Sequence, residues 1–129
     1  MTDRVWIDPI TTLALHERLL ILHGGAAGIR DEGLRLSALA RPQNLAAYAE
    51  DADLIDLAAA YTFGIVRNHP FVDGNKRTGF VVGVLFLELN GAAFAAPEQD
   101  ATQAVLSLAD GSLDEAGYTA FLRANTKLP

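Results

Sequence analysis

His69, Asp73, Asn75, Lys76 and Arg77 fall within nine consecutive positions, His69-Pro70-Phe71-Val72-Asp73-Gly74-Asn75-Lys76-Arg77. One imidazole, one carboxylate, one amide and two cations thus share a single short stretch. These residues suit a plain turn and helix start, because Asp73-Gly74 makes a turn and Asp73 or Asn75 caps a helix. A plain connection, however, needs neither His69 nor a Lys76-Arg77 pair beside a helix N-terminus. The unpaired N–H groups of such a terminus, reinforced by the helix dipole, make an anion site. Gly74 lets the backbone approach a phosphate closely, and Lys76 and Arg77 add charge. Asp73 would repel a bare phosphate unless a magnesium ion bridges the two. An imidazole at the rim suits a proton acceptor. Together these parts describe phosphate-group transfer.

The elements around this stretch must hold it still, and they read as helices. Asp8-Pro9 is a helix start, with Leu13, Leu15, Leu19, Leu20 and Leu22 as its apolar contacts and Gly24-Gly25 as its stop. Asp31 caps a second, shorter helix expected to end before Pro42, with Leu34, Ala38 and Leu39 inward and Arg35 and Arg41 in water. Residues 42–52 read as a connection. Asp53 to Asn68 is apolar around nearly its whole circumference, which predicts a buried central helix, and Pro70 ends it at His69. A second apolar helix runs from near Asn75 to Leu89, closed by Asn90-Gly91. Two amphipathic segments follow, from about Glu98 to Leu108 and from Ser112, which forms a capping box with Glu115. No segment alternates, so the expectation is an all-α bundle of about six helices.

Composition narrows the classes. The 129 residues fit one domain over 1–129, half are hydrophobic, and a fifth are charged, so the chain is neither disordered nor of low complexity. There are no cysteines, which excludes disulfides, thiolate metal sites and cysteine nucleophiles. A net charge of −6 speaks against direct nucleic-acid binding and against an anionic membrane surface. The longest apolar run, Gly79–Leu87, is nine residues, far short of the roughly 20 that span a bilayer. The N-terminus lacks the pattern of a signal peptide, so a cytoplasmic protein is expected.

HPFVDGNKR resembles the Fic/Doc motif, His-x-Phe-x-Asp/Glu-Gly/Ala-Asn-Gly/Lys-Arg. The resemblance extends through GIRDEGL, SALARPQ and LFLELNG, and in length and in Asn75-Lys76-Arg77 the chain looks like the small Doc (death on curing) branch. It implies that His69 is the catalytic base for a target hydroxyl and that Phe71 anchors the loop. It implies that Asp73 holds magnesium on the nucleotide phosphates, and that Gly74, Asn75, Lys76 and Arg77 bind those phosphates. The nucleotide-transferring Fic pattern has glycine at Lys76 and a second arginine at Phe80. Both departures fit the Doc activity, in which ATP is held the other way round and its γ-phosphoryl passes to a threonine of elongation factor Tu, stopping translation. A Fic-type nucleotidyltransferase is the alternative, and a binding module with a degenerate site is a third reading that the intact motif opposes. Fic proteins often carry an inhibitory Ser/Thr-x-x-x-Glu-Gly/Asn helix. Here the one Glu-Gly/Asn pair is Glu32-Gly33, with Gly28 four positions before Glu32. That points to a separate antitoxin whose disordered segment folds over the site.

Other features read as structural. The Gly24–Gly28 run lacks the Lys-Ser/Thr of a phosphate cradle, and a helix stop explains Gly24 and Gly25. His16 and His23, seven apart, are expected to be exposed or capping. Arg30-Asp31 reads as a surface arginine at a helix start. Gln43 to Asp53, with Tyr48, sits where the family places its target-docking flap.

Overall fold

A computed structural model describes residues 3–129. Six helices and one short ribbon follow in the order α1 (Pro9–His23), α2 (Glu32–Tyr48), α3 (Leu54–Asn68), α4 (Asn75–Leu89), β1 (Ala93–Phe94), α5 (Glu98–Asp110), α6 (Glu115–Ala124) and β2 (Thr126–Lys127). The architecture is all-α, as the lack of alternation predicts. The ribbon pairs Ala93 with Lys127 and Phe94 with Thr126. Two residues per strand are too few to show a period, so the sequence gives no sign of it. No helix among the described residues is long and apolar enough to cross a membrane.

Capping sets the register of the first elements. Asp8 accepts the Thr11 N–H at 2.7 Å, and Gly24, at φ 80°, closes α1 by donating to the Leu20 carbonyl. The buried residues of α1 are Thr12 and His16, however, and Leu22 is exposed. Asp31 caps α2 at the Leu34 N–H, but α2 does not stop at Pro42. It carries Pro42, buried, through to Tyr48. A proline inside a helix removes one hydrogen bond, and packing of Ala38, Leu39, Pro42 and Leu45 into the core outweighs that loss. The expected connection over 42–52 therefore shrinks to a turn after Tyr48. Arg35 is likewise not in water. Its guanidinium is buried, pairs with Glu32 and donates to the Pro9 carbonyl at 2.9 Å, tying α2 to the start of α1.

Helix α3 is the central element, packed against α2, α4 and α6. Asp53 and Asp56 form a reciprocal capping box at its start, and Ile55, Leu57, Ala58, Ala59, Tyr61 and Ile65 are buried along it. Burial around the whole helix matches its apolar circumference. Ser112 does not cap α6, in contrast to the expected box with Glu115. Asp114 does so, accepting the Gly117 N–H at 2.7 Å, while the Ser112 hydroxyl serves Asp110 and Ser107. Glu115 is drawn away by a two-pronged pair with Arg41, at 3.0 and 3.2 Å.

Contact between α3 and α4 holds the ends of both helices, and hence the loop between them, in place. At Gly83 a methyl group would lie 3.0 Å from the Ala58 carbonyl and clash with the Thr62 hydroxyl, so the missing side chain permits the close approach. Gly83→Ala is expected to destabilise the protein by about 1–3 kcal/mol, because overpacking must separate the two helices. Chemical denaturation checks this, and an unchanged midpoint would contradict it.

Candidate active site

The loop between α3 and α4 begins at His69, which caps α3 with its N–H on the Ile65 carbonyl at 3.1 Å. His69 takes φ 52° and ψ 53°, the left-handed region, and is the one non-glycine residue to do so among those described. That conformation costs a residue with a Cβ about 1–2 kcal/mol, so something outside the loop must impose it. The imidazole is exposed.

What imposes it is the segment Gly28–Asp31, which runs antiparallel to the loop. Ile29 bridges Phe71, Val72 donates to the Gly28 carbonyl at 3.0 Å, and the N–H groups of Arg30 and Asp31 donate to the Pro70 carbonyl at 2.6 and 3.0 Å. The Arg30 side chain adds Nε to the His69 carbonyl at 2.6 Å and Nη2 to the Asn68 carbonyl at 2.8 Å. Gln43–Asp53 forms the end of α2 and the turn into α3, with Tyr48 exposed. The strand-like partner of the motif loop is Gly28–Asp31, and periodicity cannot reveal a single bridge.

Phe71 is fully buried and stacks on His16, with centroids 3.8 Å apart and planes 9° from parallel. Asn75 fixes the Phe71 backbone from both sides, Oδ1 accepting its N–H and Nδ2 donating to its carbonyl, each at 2.9 Å. The Asn75 side chain is therefore turned inward and buried. What Asn75 can offer to an anion at this turn is its backbone N–H, because its side chain is spent on the Phe71 backbone. His16 corrects another expectation, since it is neither exposed nor a cap. Its Nε2 lies 2.8 Å from the Asp73 carbonyl, and because that oxygen can only accept, Nε2 carries the proton. Thr12 and His16, four apart on α1, are its two buried residues, a spacing that could have flagged His16 as inward-facing.

Asp73, Lys76 and Arg77 are exposed around the start of α4. Gly74, at φ 79° and ψ 17°, is the N-cap, and no side chain caps the helix. The N–H groups of Asn75, Lys76 and Arg77 thus have no partner within the helix. Asp73 accepts the Gly74 N–H at 2.9 Å and the Ala26 N–H at 3.1 Å. The Ala26 bond, then the Gly74 bond, hold its carboxyl below the usual range, with smaller help from Lys76 and Arg77. Asp73 is therefore ionised throughout the neutral range. Gly25 explains why glycine follows the helix stop, since a Cβ there would lie 2.9 Å from the Asp73 carboxylate. The glycine run thus closes α1 at Gly24 and abuts Asp73 at Gly25.

A cleft of about 530 Å³ opens beside Lys76 and Arg77. Phe80, Phe94, Val105 and Leu106 line its apolar length, and His23 stands at its rim. Phe80 meets Phe94 edge-on at 5.8 Å, so it is committed to packing against β1.

The model of the Fic/DOC family matches residues 6–87. The chain is 38% identical over 93 residues to "Protein kinase doc" of Escherichia phage P1, covering 71% of this chain and 74% of that protein. It is 46% identical over 78 residues to "Toxin Doc" of Mycolicibacterium smegmatis, covering 59% of each.

Proposed function

Since this chain belongs to the Fic/DOC family, we propose that it is a Doc-type toxin kinase that moves the γ-phosphoryl group of ATP to a threonine hydroxyl of elongation factor Tu, halting translation. It acts in the cytoplasm, and a partner antitoxin restrains it by folding a disordered segment over the site. One observation carries the reading. Helix α4 starts without a side-chain cap, carries two exposed cations in its first turn, and follows an exposed imidazole and carboxylate in the same loop.

Each residue then has a physical task. The free N–H groups of Asn75, Lys76 and Arg77 and the two cationic side chains hold phosphate oxygens. Gly74 keeps the approach open. His69 accepts the proton of the target hydroxyl as its oxygen forms a bond to the γ-phosphorus, and the bond from that phosphorus to the ADP oxygen breaks. His16, Phe71 and the Asn75 side chain hold the loop from beneath.

Magnesium fits the turn as an ion brought by the nucleotide. Each Asp73 oxygen accepts one N–H and has a further lone pair, while no cluster of three acidic or imidazole groups stands among the described residues. The remaining ligands would be phosphate oxygens and water. Held there by Asp73, magnesium would supply charge neutralisation on the phosphates.

Label transfer from ATP to purified elongation factor Tu tests the function. Excess chelator, and separately Asp73→Ala, are each expected to lower it about 100-fold. Undiminished transfer under either condition would remove Asp73 and magnesium from the reaction.

A further inference from the structure

We propose that Arg30 is the positioning residue for His69, its guanidinium holding the backbone on either side of the base so that the imidazole faces the target hydroxyl. A helix that ends in the left-handed region usually places glycine there, because glycine has no Cβ to clash. Here the position must carry an imidazole, so its conformation has to be imposed by contacts. Arg30 provides them. Its planar fork takes the adjacent carbonyls of Asn68 and His69, while the N–H groups of Arg30 and Asp31 take that of Pro70. Three successive carbonyls around the base are thereby tied to two successive residues. Lysine could not do this, since it offers a point charge rather than a fork.

Arg30 is exposed, and none of its side-chain bonds reaches the core, so its effect is confined to the loop. The end of α3 has a separate anchor, the Asn68 side chain, which donates to the Leu34 carbonyl at 3.0 Å. Loss of Arg30 therefore releases residue 69 without detaching the helix. The phosphate turn on α4 is held by other bonds, from Asn75 and His16. The base and the turn can accordingly be disturbed one at a time.

This inference rests on the kinase reading for its kinetic test but not for its structural one. In purified Arg30→Ala, kcat for transfer is expected to fall about 10- to 100-fold, as displacement of a reacting group by about 1 Å does, with KM for ATP unchanged. Millimolar guanidinium should restore part of the loss, and Arg30→Lys should recover less than guanidinium does. The Cα and Cβ resonances of His69 should leave their left-handed positions, while those of residues 75–77 stay. Unaltered kcat, a matching rise in KM, or unmoved His69 resonances would each overturn the assignment. If the unaltered chain transfers no label, the kinase reading fails, and the His69 resonances still decide the role of Arg30.

Discussion

His69→Ala is expected to lower phosphoryl transfer by about 10²–10⁴-fold, the usual worth of a general base, with the fold intact. The two parts of this expectation have separate grounds. The imidazole is exposed, so its removal changes stability by no more than about 0.5 kcal/mol. The backbone of residue 69 stays where Arg30 and the Ile65 carbonyl hold it, so the phosphate turn is undisturbed and KM for ATP should not change. A fall in kcat alone is the signature of a group acting in the transition state. Retained transfer at a similar rate would take His69 out of the mechanism. Loss of helical signal on thermal scans would show instead that the imidazole supports the loop.

Elongation factor Tu is expected to take label from γ-labelled ATP and none from α-labelled ATP. Which group moves depends on which phosphorus lies in line with the attacking oxygen, since the protein contributes mainly position and charge. Lys76 adds bulk and charge where the nucleotide-transferring pattern has glycine. Phe80 stands where that pattern has a second arginine, and its edge contact with Phe94 commits it to apolar packing. No second clamp is therefore supplied from that position for phosphates held in the nucleotide-transferring pose. Lys76→Gly should weaken the kinase without making an efficient nucleotidyltransferase, because Phe80 is still there. Label arriving from the α position in the unaltered protein would replace the kinase reading with nucleotidyl transfer.

Much of this molecule is legible from residue types and spacing alone. The caps at Asp8 and Asp31, the stop at Gly24 and the break at His69-Pro70 are short-range effects between neighbours a few positions apart, and each stands where the sequence puts it. Burial of α3 on all sides follows from its composition. The motif loop between α3 and α4 is recognisable because its chemistry is contiguous in the chain.

Tertiary structure alone decided the features whose partners lie far apart in sequence. Pro42 stays helical because the core repays one missing hydrogen bond, and Arg35 is buried because the Pro9 carbonyl, 26 positions away, accepts from it. Asp114 replaces Ser112 as a cap once Arg41 captures Glu115. The same holds at the site. His16 reaches Asp73 across 57 positions, Ala26 reaches it across 47, and Arg30 reaches His69 across 39. Local propensity carries no information about such contacts, because nothing between the two residues varies with the pairing. The candidate site residues can thus be read from the chain, whereas the contacts that hold their loop emerge only when α1 and the Gly28–Asp31 segment fold back onto it.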